Sequence, residues 1–271
     1  MTAAQRCWYI TLRDHGPAGF LAEANYTDTT ADQSLILEIE RKTLLIKSAV
    51  LEVHRGQSGA PASQTISNLE GITAYFGSGR QLRQALAGNS ALLDMAVQAV
   101  STVIQGEAFF CQERGFASLE AYDDYWDKIA KDSCVYYSNL DRLSHRFNDY
   151  IENQRRGSNL FHRYLLTAIE TNSGESTEIR SHLLDSYHEM SIALQLESGF
   201  RVSNVSAAML RCPDSVCCEA LERLDRLKGT LLTTADMKRY RTDFGGASGC
   251  THIAHLVQEA AYTLDIFKNM K

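Results

Sequence analysis

The chain is poor in proline, with three in 271 residues, so breaks in regular structure fall mostly to its 17 glycines. It lacks an excess of basic charge. Lys plus Arg is 27 and Asp plus Glu is 33, a net charge of −6, which argues against a nucleic-acid or anionic-membrane partner. No stretch of eighteen apolar residues occurs, so no membrane span is expected. A signal peptide needs an unbroken apolar stretch, yet Arg6, Arg13 and Asp14 interrupt the first residues. A cytoplasmic location is therefore expected. No Walker loop, dinucleotide fingerprint or His-Glu-x-x-His motif occurs. The seven cysteines are odd in number and do not follow a disulfide framework. In a reducing compartment they would be thiols, metal ligands or core residues.

A composition of 44% hydrophobic and 22% charged residues suits a globular protein with a real core. The length suits one large domain or two ordinary ones. Self-comparison pairs Leu69-Glu70-Gly71 with Leu227-Lys228-Gly229 at an offset of 158. The same offset pairs Arg83 with Arg241, Ser90 with Ser248, Ala96 with Ala254 and Phe109 with Phe267. Upstream, an offset of 157 pairs Arg6 with Arg163, Asp28 with Asp185 and Glu40 with Glu197. Two related copies are implied.

Each copy reads strands first and helices second. Leu35, Leu37 and Ile39 alternate with polar residues, as do Ala49, Leu51 and Val53, with Glu40-Arg41-Lys42 as the hairpin tip. In the second copy Met190, Ile192, Leu194 and Leu196 alternate, Ser198-Gly199 turns, and Val205, Ala207 and Met209 return. Helical spacing follows in Leu92, Met95, Ala99 and Val103, in Cys217, Leu221, Leu224 and Leu227, and in Ile253, Leu256, Val257, Ala260 and Leu264. Between the copies, Leu119, Tyr122, Trp126 and Ile129 fit one helix face, and Tyr136, Leu140, Leu143, Phe147 and Tyr150 another. Gln154-Arg155-Arg156-Gly157-Ser158 reads as a link and Asn172-Ser173-Gly174-Glu175 as a turn. The expected class is α+β: a first repeat over 1–110, a helical insert over 111–158 and a second repeat over 159–271.

Residues with chemical capacity concentrate in the second repeat. Gly245-Gly246-Ala247-Ser248-Gly249-Cys250-Thr251-His252 runs into the last helix. Unpaired N–H groups at a helix start favour a thiolate, so Cys250 is a candidate nucleophile with His252 as its base. The same pair could ligate one ion. Asp185-Ser186-Tyr187-His188-Glu189-Met190 opens a strand and supplies His188. Cys212-Pro213-Asp214-Ser215-Val216-Cys217-Cys218 lies at a strand-to-helix turn. Cys217 belongs to the apolar stripe, which leaves Cys212 and Cys218 as the candidate functional sulfurs. Their spacing is not that of a zinc knuckle. At the positions of His188, Cys250 and His252 the first repeat has Ala31, Leu92 and Asp94, so the second repeat is expected to be the working half.

Taken together, His188-Glu189-Met190, Cys218 and Gly249-Cys250-Thr251-His252 resemble a bacterial domain-of-unknown-function family that typically shows His-Asp-Met and Gly-Cys-Thr-His. The resemblance covers roughly Arg163 to Phe267, with Glu189 in place of Asp, and implies no activity. More distantly, the chain resembles the NifU-type iron–sulfur scaffold fold. There a hairpin leads to a Cys at a helix start and a later Cys adjoins the final helix, comparable to Cys212 or Cys218 and to Cys250. The scaffold's first cysteine would fall near Ser186, where this chain has none. The resemblance implies two tandem NifU-like halves.

Three functional expectations follow. The first is a metal-binding protein holding zinc, iron or an iron–sulfur cluster through His188, Cys250, His252 and one of Cys212 or Cys218; thiolate and imidazole ligands suit zinc and iron alike. The second is a thiol enzyme using Cys250, with His188 or His252 as base. The third is a non-catalytic assembly module that binds a protein partner through the helical insert. Substrate and oligomeric state stay open.

Overall fold

In the computed structural model, residues 2–56, 61–152, 154, 156–171 and 177–270 are described. Arg155 of the expected link and the expected turn Asn172-Ser173-Gly174-Glu175 lie outside them. The chain forms two compact units. The N-terminal unit comprises Trp8–Tyr122 and Gln154–Tyr164. The C-terminal unit comprises Met1–Cys7, Asp123–Asn153 and Leu165–Lys271. The segment 111–158 is thus shared out, and most of it belongs with the C-terminal unit.

The architecture is mixed α/β, with a large antiparallel sheet and several helices. The strands are β1 (Thr2–Asp14), β2 (Phe20–Asp28), β3 (Asp32–Ile39), β4 (Ile46–Arg55), β5 (Ala62–Thr65), β6 (Asn159–Thr171), β7 (Thr177–Asp185), β8 (Glu189–Leu196) and β9 (Val202–Arg211). The N-terminal unit has the strand order β5-β4-β3-β2-β1-β6, using the second part of β1 and the first part of β6. The C-terminal unit has the order β1-β6-β7-β8-β9, using the remaining parts of both. The helices are α1 (Gly79–Ala85), α2 (Ser90–Gly106), α3 (Leu119–Ile129), α4 (Phe147–Ile151), α5 (Met237–Phe244) and α6 (Thr251–Asn269). No described helix is long and apolar enough to cross a membrane.

The β3–β4 and β8–β9 hairpins lie where alternation placed strands. Strands β1, β6 and β7 were not legible because polar residues occupy inward positions. Arg6, Arg163, Thr167 and Ser181 are all buried. Arg6 is tolerated because its guanidinium pairs with Glu259 at 2.8 Å and lies over the Tyr262 ring. Each unit then covers its sheet with one long helix. In the N-terminal unit, Leu92, Met95, Ala96, Ala99 and Val103 of α2 are buried, as are Phe20, Ala22, Leu35 and Leu37 of β2 and β3, the strands α2 packs on. In the C-terminal unit, Ile253, Leu256, Val257, Ala260 and Leu264 of α6 are buried on the side of β7 and β8. Each buried Leu, Ile, Val, Met or Phe among them contributes roughly 1.5–3 kcal/mol by leaving water.

Two helical expectations differ in detail. The stripe from Cys217 to Leu227 forms a run of 3-10 turns over Ser215–Leu227. The stripe from Tyr136 to Tyr150 is not one helix: a 3-10 turn spans Leu140–Arg142, and α4 begins only at Phe147. Polar side chains compete with the helix there. Asn139 bonds the Val135 carbonyl and Ser138 the Cys134 carbonyl.

Local geometry recurs between the units. Asp28 N–H bonds the Ala31 carbonyl, and Asp185 N–H bonds the His188 carbonyl. Asp28 Oδ1 accepts from the N–H groups of Thr30 and Ala31, as Asp185 Oδ1 does from Tyr187 and His188. Arg55 donates to the Asp28 and Ala31 carbonyls, and Arg211 to those of Asp185 and His188. The β3–β4 register shifts between Asp32 and Gln33 and between Glu38 and Ile39; β8–β9 shifts between Glu189 and Met190 and between Gln195 and Leu196. Leu44 and Phe200 both have positive φ, at 57° and 64°.

Burial works against ionisation of Asp28, but its bonds from Tyr26, Thr30 and Ala31 outweigh this and lower its pKa. Its contribution to stability is therefore complete above the unfolded value, near pH 4, and is lost as pH falls through the folded value. Asp28→Ala is expected to cost about 2 kcal/mol at neutral pH. Urea unfolding should show this gap closing in acid; a gap independent of pH would contradict the assignment.

Candidate functional site

The Asp185 turn joins β7 to β8. The Asp185 carboxylate is buried, with its Oδ1 accepting from the Tyr187 and His188 N–H groups at 2.8 and 2.7 Å. The same oxygen lies 3.1 Å from His188 Nδ1. A proton on Nδ1 satisfies that contact and leaves Nε2 of His188 as the ring's lone-pair nitrogen. Arg211 closes the turn from outside by donating to the Asp185, Ser186 and His188 carbonyls.

His252 comes from the first turn of α6. Its ring meets the His188 ring with centroids 4.2 Å apart and planes tilted by 41°. Donor atoms of Asp185, His188 and His252 all lie within 4.8 Å of one another. Cys250, the N-cap residue of α6, is buried, and its Sγ lies 3.8 Å from His252 Nδ1.

The glycine loop fixes where α6 starts. The Cys250 N–H donates to the Phe244 carbonyl at 2.7 Å, and the Gly249 carbonyl accepts from Val135 N–H at 2.8 Å. A Cβ on Gly249 would meet Phe244 O at 2.2 Å and Gly245 O at 2.6 Å. Side chains of α4 hold the Asp185 turn. Tyr150 Oη donates to the Tyr187 carbonyl at 2.7 Å, and Phe147 packs edge-on against Tyr187 at 5.1 Å.

The sequence-derived residues therefore divide. His188, His252 and Cys250 come together, with Asp185 as an added member. Its sequence signal was its place three residues before His188, at the start of the quoted motif. Cys212 and Cys218 are not among the residues whose donor atoms come together around Asp185. Cys212 follows β9 and is half-buried, Cys217 is buried and Cys218 is exposed. Glu189 begins β8 and pairs with Arg211 in the ladder. A cleft of about 720 Å³, with Val135, Asn139, Glu219, Arg223 and Ser248 among its lining, borders the glycine loop but does not include Asp185, His188, Cys250 or His252.

Asp214 anchors the turn between Cys212 and Cys217. Its carboxylate accepts from Val216 N–H and from the N–H groups of Ser144 and His145. Burial is the largest single influence on it and opposes ionisation; these bonds together still lower its pKa.

Comparison with known families matches residues 166–264 to the family described as "Protein of unknown function (DUF2889)". That span contains the Asp185 turn, the Cys212–Cys218 segment and the glycine loop. No curated protein and no solved structure gives a significant match.

Gly249→Ala is expected to destabilise the protein by roughly 3 kcal/mol or more, because backbone oxygens block the new methyl. At Gly246 the methyl meets nothing within 4 Å, and only the positive φ of 70° resists it. Gly246→Ala should cost about 1–2 kcal/mol. Equal losses of urea midpoint in the two variants would contradict this account of the loop.

Proposed function

We propose that the C-terminal unit binds a divalent transition-metal ion through His188 and His252, with Asp185 as carboxylate partner. The observation that carries this reading is the convergence of two imidazoles and a buried carboxylate within 4.8 Å, from a strand turn and a distant helix start. Two imidazoles and one carboxylate suit zinc or iron(II). Asp185 either ligates directly or, through His188 Nδ1, orients that ring as metal-site carboxylates do. The donor set favours a single ion over an iron–sulfur cluster, because clusters are held chiefly by thiolates and the close group consists of two imidazoles and a carboxylate. Cys250 would stand beside the ion as a further ligand or as a reactive thiol.

The recurrent geometry supports a duplicated origin for the two units and separates scaffold from site. Asp28 repeats the turn-closing role of Asp185, and Arg55 that of Arg211, so those roles need no metal. Ala31, Leu92 and Asp94 stand where the C-terminal unit has His188, Cys250 and His252. The added chemistry is therefore one imidazole on a turn that both units possess, with a second imidazole and a thiol at the start of α6.

A second reading is favoured by the 3.8 Å contact between Cys250 Sγ and His252 Nδ1. Without metal, His252 would take the Cys250 proton, and the thiolate would act as nucleophile.

Titration of metal-free protein with zinc or anaerobic iron(II), followed calorimetrically, should give one ion per chain. His188→Ala and His252→Ala should each weaken binding at least about tenfold. Leu92→Ala, a core change in the N-terminal unit, should leave affinity unchanged and cost about 2–5 kcal/mol of stability. Wild-type affinity in both histidine variants would overturn the metal reading. Rapid alkylation of Cys250 that depends on His252 but not on metal would then favour the thiol reading.

A further inference from the structure

The β3–β4 and β8–β9 hairpins share their turn bonds and register shifts, yet their outer edges end differently. In the N-terminal unit the Ile46 N–H donates to the Ile72 carbonyl, and the Ile46 carbonyl accepts from Gly71 N–H. Further along, the Ala49 carbonyl accepts from Ile66 N–H, and β5 pairs antiparallel with Val50–Val53. β5 is Ala62-Ser63-Gln64-Thr65, short, uncharged and preceded by Pro61. Such a strand is a poor template for another. In the C-terminal unit Val202 makes the equivalent bonds with Thr230 and Gly229. No covering strand follows, and β9 ends the strand order. The 3-10 run over Ser215–Leu227 packs near β9 but gives it no backbone bond.

The ladder shows which groups are left over. The bond from Asp185 N–H to the His188 carbonyl closes the β7–β8 turn. Alternation from that bond turns the backbone groups of Met190, Ile192 and Leu194 to β7, and those of Ser191, Ala193 and Gln195 to β9. Their partners on β9 are Ala208, Ser206 and Asn204. The N–H and C=O groups of Val205, Ala207 and Met209 therefore point away from β8. Among the described residues no backbone group meets them. Asn204, Ser206 and Leu210 are exposed, Leu210 at 74%. From Val202 to Leu210 the strand carries neither charge nor proline. A long edge with none of the usual blocking devices is open to another strand.

We propose that β9 is an interface between two copies of this chain, pairing antiparallel with β9 of the second copy about a two-fold axis at Ala207. The segment that covers β4 is small, polar and uncharged. Ser203-Asn204-Val205-Ser206-Ala207-Ala208 of β9 has the same character, so a second β9 is chemically the kind of strand this edge takes. An antiparallel pair of identical strands is two-fold symmetric, so both bare edges are satisfied together and assembly closes at two. In this register Ala207 meets its own copy, and Val205 of one copy meets Met209 of the other, each pair exchanging two backbone bonds. On the exposed side Ser206 stands opposite Ala208, and Asn204 covers Leu210. Arg211 falls opposite Ser203, so no like charges oppose, and its guanidinium stays on the Asp185 turn.

Sedimentation of the full chain from low to high micromolar concentration, with residue-resolved amide exchange, tests this. A dimer should form as concentration rises, and the Val205, Ala207 and Met209 amides should gain protection with it. The Ser206 and Ala208 amides, bonded to β8, should be protected in the monomer already. Ala207→Pro removes the outward N–H at the axis, on an edge where proline is tolerated. It should sediment as a monomer with an unchanged far-UV spectrum. Ser206→Lys keeps the backbone bond to β8 and should weaken the dimer at least about tenfold; it decides the matter if Ala207→Pro fails to fold. A monomer at every concentration would overturn the proposal and leave the edge to an extended segment of another protein. So would a dimer indifferent to Ser206→Lys, a dimer whose Val205, Ala207 and Met209 amides exchange as in the monomer, or growth past two copies.

Discussion

A buried carboxylate at a strand turn fixes where everything else in the C-terminal unit can stand. Asp185 closes the β7–β8 connection through two backbone N–H groups and meets the ring of His188 with the same oxygen. A carboxylate with no exposed surface is costly unless its lone pairs are used. Those partners set the backbone path and hold one imidazole in one orientation. With His188 held, the start of α6 can bring a second imidazole against it only if the glycine loop ends in one place. The close approach of Gly249 to the Phe244 carbonyl supplies that end point. Two loops distant in sequence are thus positioned by backbone hydrogen bonds instead of by contacts between the histidines, whose protonated forms would repel.

Residues 135–150 act as a brace for this arrangement. Val135 holds the glycine loop, Tyr150 and Phe147 hold the Asp185 turn, and the backbone at Ser144 and His145 holds Asp214 beside the thiols. Three segments are tied to one irregular stretch of chain. At Val135, Ser144 and His145 its irregularity has a use: backbone N–H groups not consumed by a helix bond other segments. Sequence periodicity suggested a second helix here, whereas the side chains of Ser138 and Asn139 divert the backbone into turns.

Legibility in the sequence followed the physics of each element. The β3–β4 and β8–β9 hairpins could be read because apolar and polar residues alternate along them. β1, β6 and β7 could not, because Arg6, Arg163, Thr167 and Ser181 sit inward, where only long-range partners such as Glu259 make them tolerable. At the site, His188, Cys250 and His252 were legible as reactive residue types in glycine-rich or turn settings. Asp185 was signalled only by its place three residues before His188, and its meeting with His252 depended on tertiary placement that spacing does not encode. The offset of 157–158 residues carried further than its few identities suggested, since it also aligns the turn hydrogen bonds and the register shifts of the two hairpins.

The central claim is that the C-terminal unit holds a metal ion through two imidazoles, with Asp185 as their carboxylate partner. X-ray absorption at the metal edge of the loaded full-length protein tests this most directly. The account predicts a coordination shell dominated by nitrogen and oxygen at about 2.0–2.2 Å, with the multiple-scattering signature of two imidazoles and at most one sulfur at about 2.3 Å. A shell of two or more sulfurs, or one without imidazole scattering, would contradict it.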